Sequence, residues 1–166
     1  MKKILLVMML ALPMALAAQN LKLGHFKSTE ILKAMPEYTQ AQEAMKKAAA
    51  THDEEYKRIV DEYQKNLQEF TAAEKQLPDN IKDRRQKELQ DMGQKIQDYQ
   101  QFAQQDLEAT QKKLMEPLVT KINTAIKSVG DTEGMTYIFD LSNTEIPYVN
   151  ATTAIDLTEK IKAKLK

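Results

Sequence analysis

The strongest constraint in this chain is a constant sum. Between residues 37 and 129 the apolar positions fall on two helical stripes, and pairing positions whose numbers add to 159 brings the stripes together. Phe70 then meets Leu89, Leu67 meets Met92, Tyr63 meets Ile96 and Val60 meets Tyr99. Farther from the centre, Tyr56 meets Ala103, Met45 meets Leu114 and Ala41 meets Leu118. A fixed sum is the signature of an antiparallel hairpin, because each step forward on one helix is a step back on the other. Its centre lies in Leu77-Pro78-Asp79-Asn80, a run of turn-forming residues. A finger two helices thick has no interior for a cofactor or a catalytic cleft. Such a protein works by presenting surface.

The helices have a readable period. From Met45 the apolar steps on the outgoing stripe run 3, 4, 4, 3, 4, 4, 3 through Ala48, His52, Tyr56, Ile59, Tyr63, Leu67 and Phe70. This eleven-residue repeat lies close to the natural period of a helix, so the pair is expected to be nearly straight or slightly right-handed. Roughly forty residues at ~1.5 Å each give an arm of about 60 Å. The return stripe holds Ile96, Tyr99, Ala103, Leu107, Thr110, Leu114, Leu118, Ile122, Ala125 and Val129. Pro117 sits inside it and is expected to kink it or loosen one turn, where the arm joins a body. The hairpin core is assigned to Tyr63, Leu67, Phe70, Leu89, Met92 and Ile96, with the tip at about residues 77–81.

Outside the arm the texture is different. Residues 21–26 read as a short strand, and Ser28 as the cap of a short helix that Pro36 interrupts. After Gly130 and Gly134, Met135, Tyr137, Phe139 and Leu141 alternate with Thr136, Ile138 and Asp140, the pattern of a strand. Residues 146–149 read as a further short strand, with Pro147 favouring an edge. Asp156 and Glu159 have capping-box spacing ahead of a last helix carrying Leu157, Ile161 and Leu165 on one side. Residues 19–36 and 130–166 thus form a discontinuous body of about three short strands and two short helices, and residues 37–129 the arm. Alone, such a body is too small to enclose a useful core. Several copies are therefore expected to pool their strands in one sheet or barrel. Tyr137, Phe139, Leu141, Ile146 and Tyr148 are assigned to that shared core.

The start of the chain reads as an address. Lys2 and Lys3 precede an apolar run at residues 4–16, and Ala15-Leu16-Ala17-Ala18 offers small residues for cleavage. This is the pattern of a secretory signal peptide over residues 1–18, cut after about residue 17 or 18, and too short for a membrane span. Cysteine is absent, so an exported chain has no disulfide and no lipid-bearing thiol. The mature chain is expected to be soluble and outside the cytoplasm.

Chemistry is sparse. The 24 basic and 24 acidic residues of the whole chain become 22 against 24 without Lys2 and Lys3, a net charge of −2. No basic stripe calls for nucleic acid. His25 and His52 have no metal-ligand spacing, so the expectation is no metal, no cofactor and no catalytic residue. The carboxylates lie on solvated helix faces, and no phosphate loop or nucleophile elbow appears. Lys82, Arg84, Arg85 and Lys87 near the tip are weak candidates for contact with a membrane surface. The acidic neighbours Glu74, Asp79, Asp83 and Glu88 favour ordinary helix salt bridges for them instead.

The mature chain resembles the Skp (OmpH-like) family of periplasmic outer-membrane-protein chaperones. The resemblance is carried by Leu118-Val119-Thr120-Lys121-Ile122, Ala125-Ile126-Lys127-Ser128-Val129, Tyr137-Ile138-Phe139-Asp140-Leu141 and Ile155-Asp156-Leu157-Thr158, with Pro36-Glu37-Tyr38 after the first short helix. It implies a mainly α fold with a small β body shared in a homotrimer, and coiled-coil arms enclosing a cavity. It also implies an ATP-independent periplasmic holdase that keeps unfolded outer-membrane β-barrel proteins soluble before insertion, without a cofactor. Well-known members are strongly basic, and this mature chain is slightly acidic. The alternative is a non-catalytic coiled-coil adaptor or structural protein of the cell envelope.

Overall fold

The computed structural model describes residues 21–165. The expected signal peptide at residues 1–18 lies outside the described residues. Two units emerge from the packing. One joins the segment up to Ala34 to the segment from Lys121 onward, and the other runs from Met35 to Thr120.

The first unit is built on a three-stranded sheet in the order β2-β1-β3. Strand β1 spans Leu23–Phe26, β2 Tyr137–Asp140 and β3 Ile155–Asp156. Both neighbours of β1 run parallel to it, with Leu23 opposite Tyr137 and His25 opposite Phe139 on one side, and His25 opposite Asp156 on the other. The ladder is extended by the Leu157 N–H donating to the His25 carbonyl at 2.8 Å and the Leu141 N–H donating to the Phe26 carbonyl at 2.9 Å. The third strand is not where the pattern put it. Residues 146–149 form no strand. Pro147 has no N–H to give a ladder, and the Ile146 N–H turns back to the Thr144 carbonyl at 3.0 Å. The free side of β1 is taken instead by two residues, Ile155 and Asp156.

One sheet face is packed. Ile31, Leu157 and Ile161 are fully buried, and Phe26, Ile122, Ala125 and Val129 nearly so. Gly24 is required here, because a Cβ on it would lie 2.7 Å from Leu157 Cδ1. Helix α1 (Ser28–Ala34) contributes Ile31, and helix α4 (Thr158–Lys164) contributes Ile161. The expected capping box at α4 is half present. Asp156 Oδ1 accepts the Thr158 N–H at 2.9 Å, but Glu159 pairs forward with Lys162 at 2.8 Å rather than back to the cap.

Helix α2 spans Pro36–Ala73, and helix α3 Asp79–Glu133. Between them lie a short 3-10 turn at Glu74–Gln76, then Leu77 and Pro78. Pro36 opens α2 naturally, since a first helical residue has no partner for its N–H. The Pro78 carbonyl accepts from Ile81 and Lys82 and so starts α3. Helix α3 stays continuous through Pro117. It also continues past Val129, where the periodic pattern stopped. Gly130 remains helical and leaves room for Ile138, whose Cδ1 would sit 3.0 Å from a Cβ at that position. Gly134, at φ 64°, ends the helix, and the Met135 N–H returns to the Gly130 carbonyl at 3.0 Å. This is the left-handed glycine stop.

Ser28 is not the cap of α1. It is the first helical residue, and its own N–H is capped by Asp140, at the end of β2. Asp140 Oδ1 accepts the Ser28 N–H at 3.1 Å and the Ser142 N–H at 2.9 Å, while Oδ2 accepts from Asn143 at 2.7 Å. Partial burial pushes this carboxyl up, but the bonds from Ser28, Ser142 and Asn143 outweigh it and hold the group below the usual carboxylate range. The sign follows from linkage. A depressed folded value makes the contribution complete above the unfolded value, about 3.9, and lost as pH falls through the lower folded value. Asp140→Ala should therefore lower unfolding free energy at neutral pH by about 1–2 kcal/mol, and the difference from the unmodified chain should shrink in acid. Urea titrations across that range read both effects; an equal loss at all pH values would remove the carboxylate from the account.

Candidate functional site

Among the described residues no group of His, Asp and Glu side chains is placed to hold a metal ion. No described helix is long and apolar enough to cross a membrane. The informative features are surfaces, one in each unit.

In the first unit the second face of the sheet is bare. Side chains alternate along a strand, so Gly24, Phe26 and Ile138 point one way, and Leu23, His25, Tyr137 and Phe139 the other. Leu23, Tyr137 and Phe139 are exposed by 39%, 59% and 40%. The Tyr137 and Phe139 rings stack with centroids 6.2 Å apart. All-parallel sheets are normally covered on both faces, so this one is incomplete. Tyr137 and Phe139, two of the five residues assigned to a shared core, are together on the bare face. Leu141 and Ile146 are half-buried, and Tyr148 is exposed, outside any strand.

In the second unit α2 and α3 touch through polar and aromatic side chains. His52 Nδ1 shares a hydrogen bond with Tyr99 Oη at 3.0 Å, and its Nε2 with Asp106 Oδ2 at 3.0 Å. The Phe102 ring stands edge-on to His52 at 5.9 Å. Gln100 donates to Tyr56 Oη at 2.9 Å. Phe70, Leu89 and Met92 line one open cleft with Glu62, Asn66 and Arg85. Three of the six hairpin-core candidates therefore meet. Tyr63 and Ile96 are half-buried, and Leu67 is 39% exposed. The nearly fully buried apolar positions of this unit are Met35, Ala41, Ile59 and Leu118.

The tip cations are engaged locally. Lys82 lies 3.7 Å from Asp79, while Arg84 and Arg85 both approach Glu88, at 3.6 and 3.2 Å. Lys87 is exposed. Pairs one helical turn apart are what a solvated helix face produces.

The family of outer membrane proteins described as OmpH-like matches residues 22–165. The chain belongs to the OmpH-like family. Among solved structures, an OmpH-like protein of Caulobacter crescentus, a candidate outer membrane chaperone, superposes with a TM-score of 0.72. The match covers 87% of this chain and 83% of that one at 16% identity, so the likeness is one of fold. No curated protein matches the sequence.

Two contacts of this OmpH-like chain escape the sequence pattern. Asp140 caps a helix that begins 112 positions earlier, which no local motif announces. The cluster of His52, Tyr99 and Phe102 draws on both helices. Tyr99 was visible on the apolar stripe, but Phe102 lies off it, and only its aromatic bulk among Gln and Asp residues marks it.

Proposed function

We propose that this OmpH-like protein is an ATP-independent periplasmic holdase that binds unfolded outer-membrane β-barrel proteins between its helices before membrane insertion. The observation that carries the reading is where the chain spends its length. Two long helices occupy nearly all of residues 36–133, and most of their apolar side chains are only half-buried. In a member of this family, such a surface suits many weak contacts with an extended client. Several arms acting together supply affinity without a pocket. The mature protein is exported by the signal peptide at residues 1–18 and has no catalytic role.

The two helices form an antiparallel hairpin arm over residues 37–129. Support comes from the order of the cross-helix contacts. His52 reaches Asp106, Tyr56 reaches Gln100, and Phe70 shares a cleft with Leu89. As one number rises the other falls. The body, residues 19–36 and 130–166, assembles as a homotrimer through the bare sheet face with Tyr137 and Phe139 at its centre. Leu141, Ile146 and Tyr148 lie at its margin.

Each part has its own test. Cysteines introduced as Leu67→Cys and Met92→Cys should crosslink rapidly within one chain; preference for pairs whose numbers add to a very different total would overturn the register. Phe139→Asp should leave a folded body but break the trimer by several kcal/mol, since its charge is tolerable on an exposed face and not in a shared core. Light scattering alongside circular dichroism separates the two effects, and an unmodified chain that runs as a monomer at micromolar concentration refutes the assembly. The holdase reading predicts that the mature protein keeps a urea-diluted outer-membrane β-barrel protein soluble without nucleotide. Replacing residues 56–103 with a short glycine-rich turn shortens both helices in register and should keep the trimer while abolishing protection. Equal protection by the shortened protein would favour an envelope adaptor instead.

A further inference from the structure

Phe102 is the most exposed phenylalanine of the described chain, at 55%. It is not isolated. Its ring contacts those of His52 and Tyr99, with centroids 5.9 and 6.1 Å away. His52 is fixed in place by its bonds to Tyr99 and Asp106, so the aromatic group is a built platform rather than a stray side chain.

Along α3 the charges around Phe102 are of one sign. Asp98 and Asp106 stand four positions before and after Phe102, hence one turn along the same face. Glu108 follows, and no Lys or Arg occurs from residue 96 to residue 111. Lys95 and Lys112, the nearest cations in α3, lie about two turns or more from Phe102. Across on α2, Arg58 pairs with Glu55 and Glu62, and the exposed Lys57 lies 3.9 Å from Asp53. The local field is also felt by Tyr99, whose hydroxyl is pushed up by partial burial and then by the carboxylates of Glu55 and Asp106.

An exposed aromatic face with a carboxylate one turn to either side complements a cation carried on an extended chain. A guanidinium stacks on the ring face, and its N–H groups reach the flanking oxygens. We infer that the Phe102 platform, with Asp98 and Asp106, is a docking point for Arg-containing segments of unfolded polypeptide. The inference rests on the holdase reading only for the claim that clients are unfolded chains. It gives this slightly acidic protein a client preference opposite in sign to one driven by a basic surface.

The full mature protein should be titrated with labelled, unstructured peptides of Arg-Tyr-Ser repeats and of Glu-Tyr-Ser repeats, matched in length. The Arg peptide should bind about tenfold more tightly or better, and its advantage should fall with added salt. Phe102→Ser should weaken the Arg peptide about fivefold or more while changing the Glu peptide little. Asp98→Lys should do the same, and it decides the matter if Phe102→Ser alters helix content by circular dichroism. Equal binding of the two peptides, or unchanged Arg-peptide binding in the variants, would overturn the inference. Protection of a urea-diluted outer-membrane β-barrel protein, measured in parallel, keeps the two ideas apart. Protection by the unmodified protein with no variant effect on peptide binding sinks the platform and leaves the holdase standing. Failure of protection with selective Arg-peptide binding does the reverse.

Discussion

The constraint on which the structure depends is chain closure. Strand β1 is four residues long and pairs on both sides, yet both partners arrive more than a hundred residues later. Everything from Met35 to Thr120 is an excursion that must bring its end back to where it left. A single straight helix cannot do that. Two helices joined by a tight turn can, provided their lengths match. The helices break at Leu77-Pro78, and the carbonyl of Pro78 starts α3 at once. Closure is then locked by side chains that span the same gap in sequence. Lys22 donates to the Glu133 carbonyl at 3.1 Å. Asp140 holds the first turn of α1. Because the sheet exists only after closure, the loop entropy of the excursion falls on a few short strands and a small core.

That core is finished on one side only. The packed face has residues of zero exposure, and the other presents two stacked aromatic rings to solvent. A short parallel sheet with one dry and one wet face is a poor endpoint for a single chain. The same economy appears in the long helices, where a stripe of apolar residues is half-buried instead of covered. Their helicity rests heavily on local terms. Ala, Gln, Glu and Lys dominate, and pairs such as Arg58 with Glu55 and Arg85 with Glu88 lie one turn apart. Each exposed pair contributes little, but length offsets the cost of nucleation.

The legible part of the fold was the periodic part. The stripes through Tyr56, Tyr63 and Phe70 and the turn at Leu77-Pro78 could be read because helical spacing repeats over many turns. Strand β2 was legible because Tyr137, Ile138 and Phe139 alternate. Strand β3 was not, since Ile155 and Asp156 are too few to show a period. The richer apolar run at Ile146 and Val149 drew the assignment, but Pro147 breaks the ladder. Gly130 looked like a stop because glycine is a weak helix former. In the structure it is a clearance for Ile138, and Gly134 makes the stop. The stripe through Tyr63, Leu67, Met92 and Ile96 is half-buried to exposed, as expected where side chains are covered from one direction only.

His52 shows how that partial covering is used. A histidine on an apolar stripe reads as a packing residue, and its acidic neighbours Asp53 and Glu54 suggest nothing more than a solvated turn. In place, it bridges Tyr99 and Asp106, residues seven apart on the facing helix, and its side chain is only 15% exposed. A carboxylate accepts but cannot donate, so Nε2 donates to Asp106, and Nδ1 shares the second bond with the Tyr99 hydroxyl. Both ring nitrogens are then satisfied. Where apolar contact alone would let two helices slide by a turn, a pair of directional bonds fixes which turns face each other. The same bonds orient Tyr99 and leave the Phe102 ring standing in solvent. The polar contact between the two helices at this level thus depends on a single imidazole.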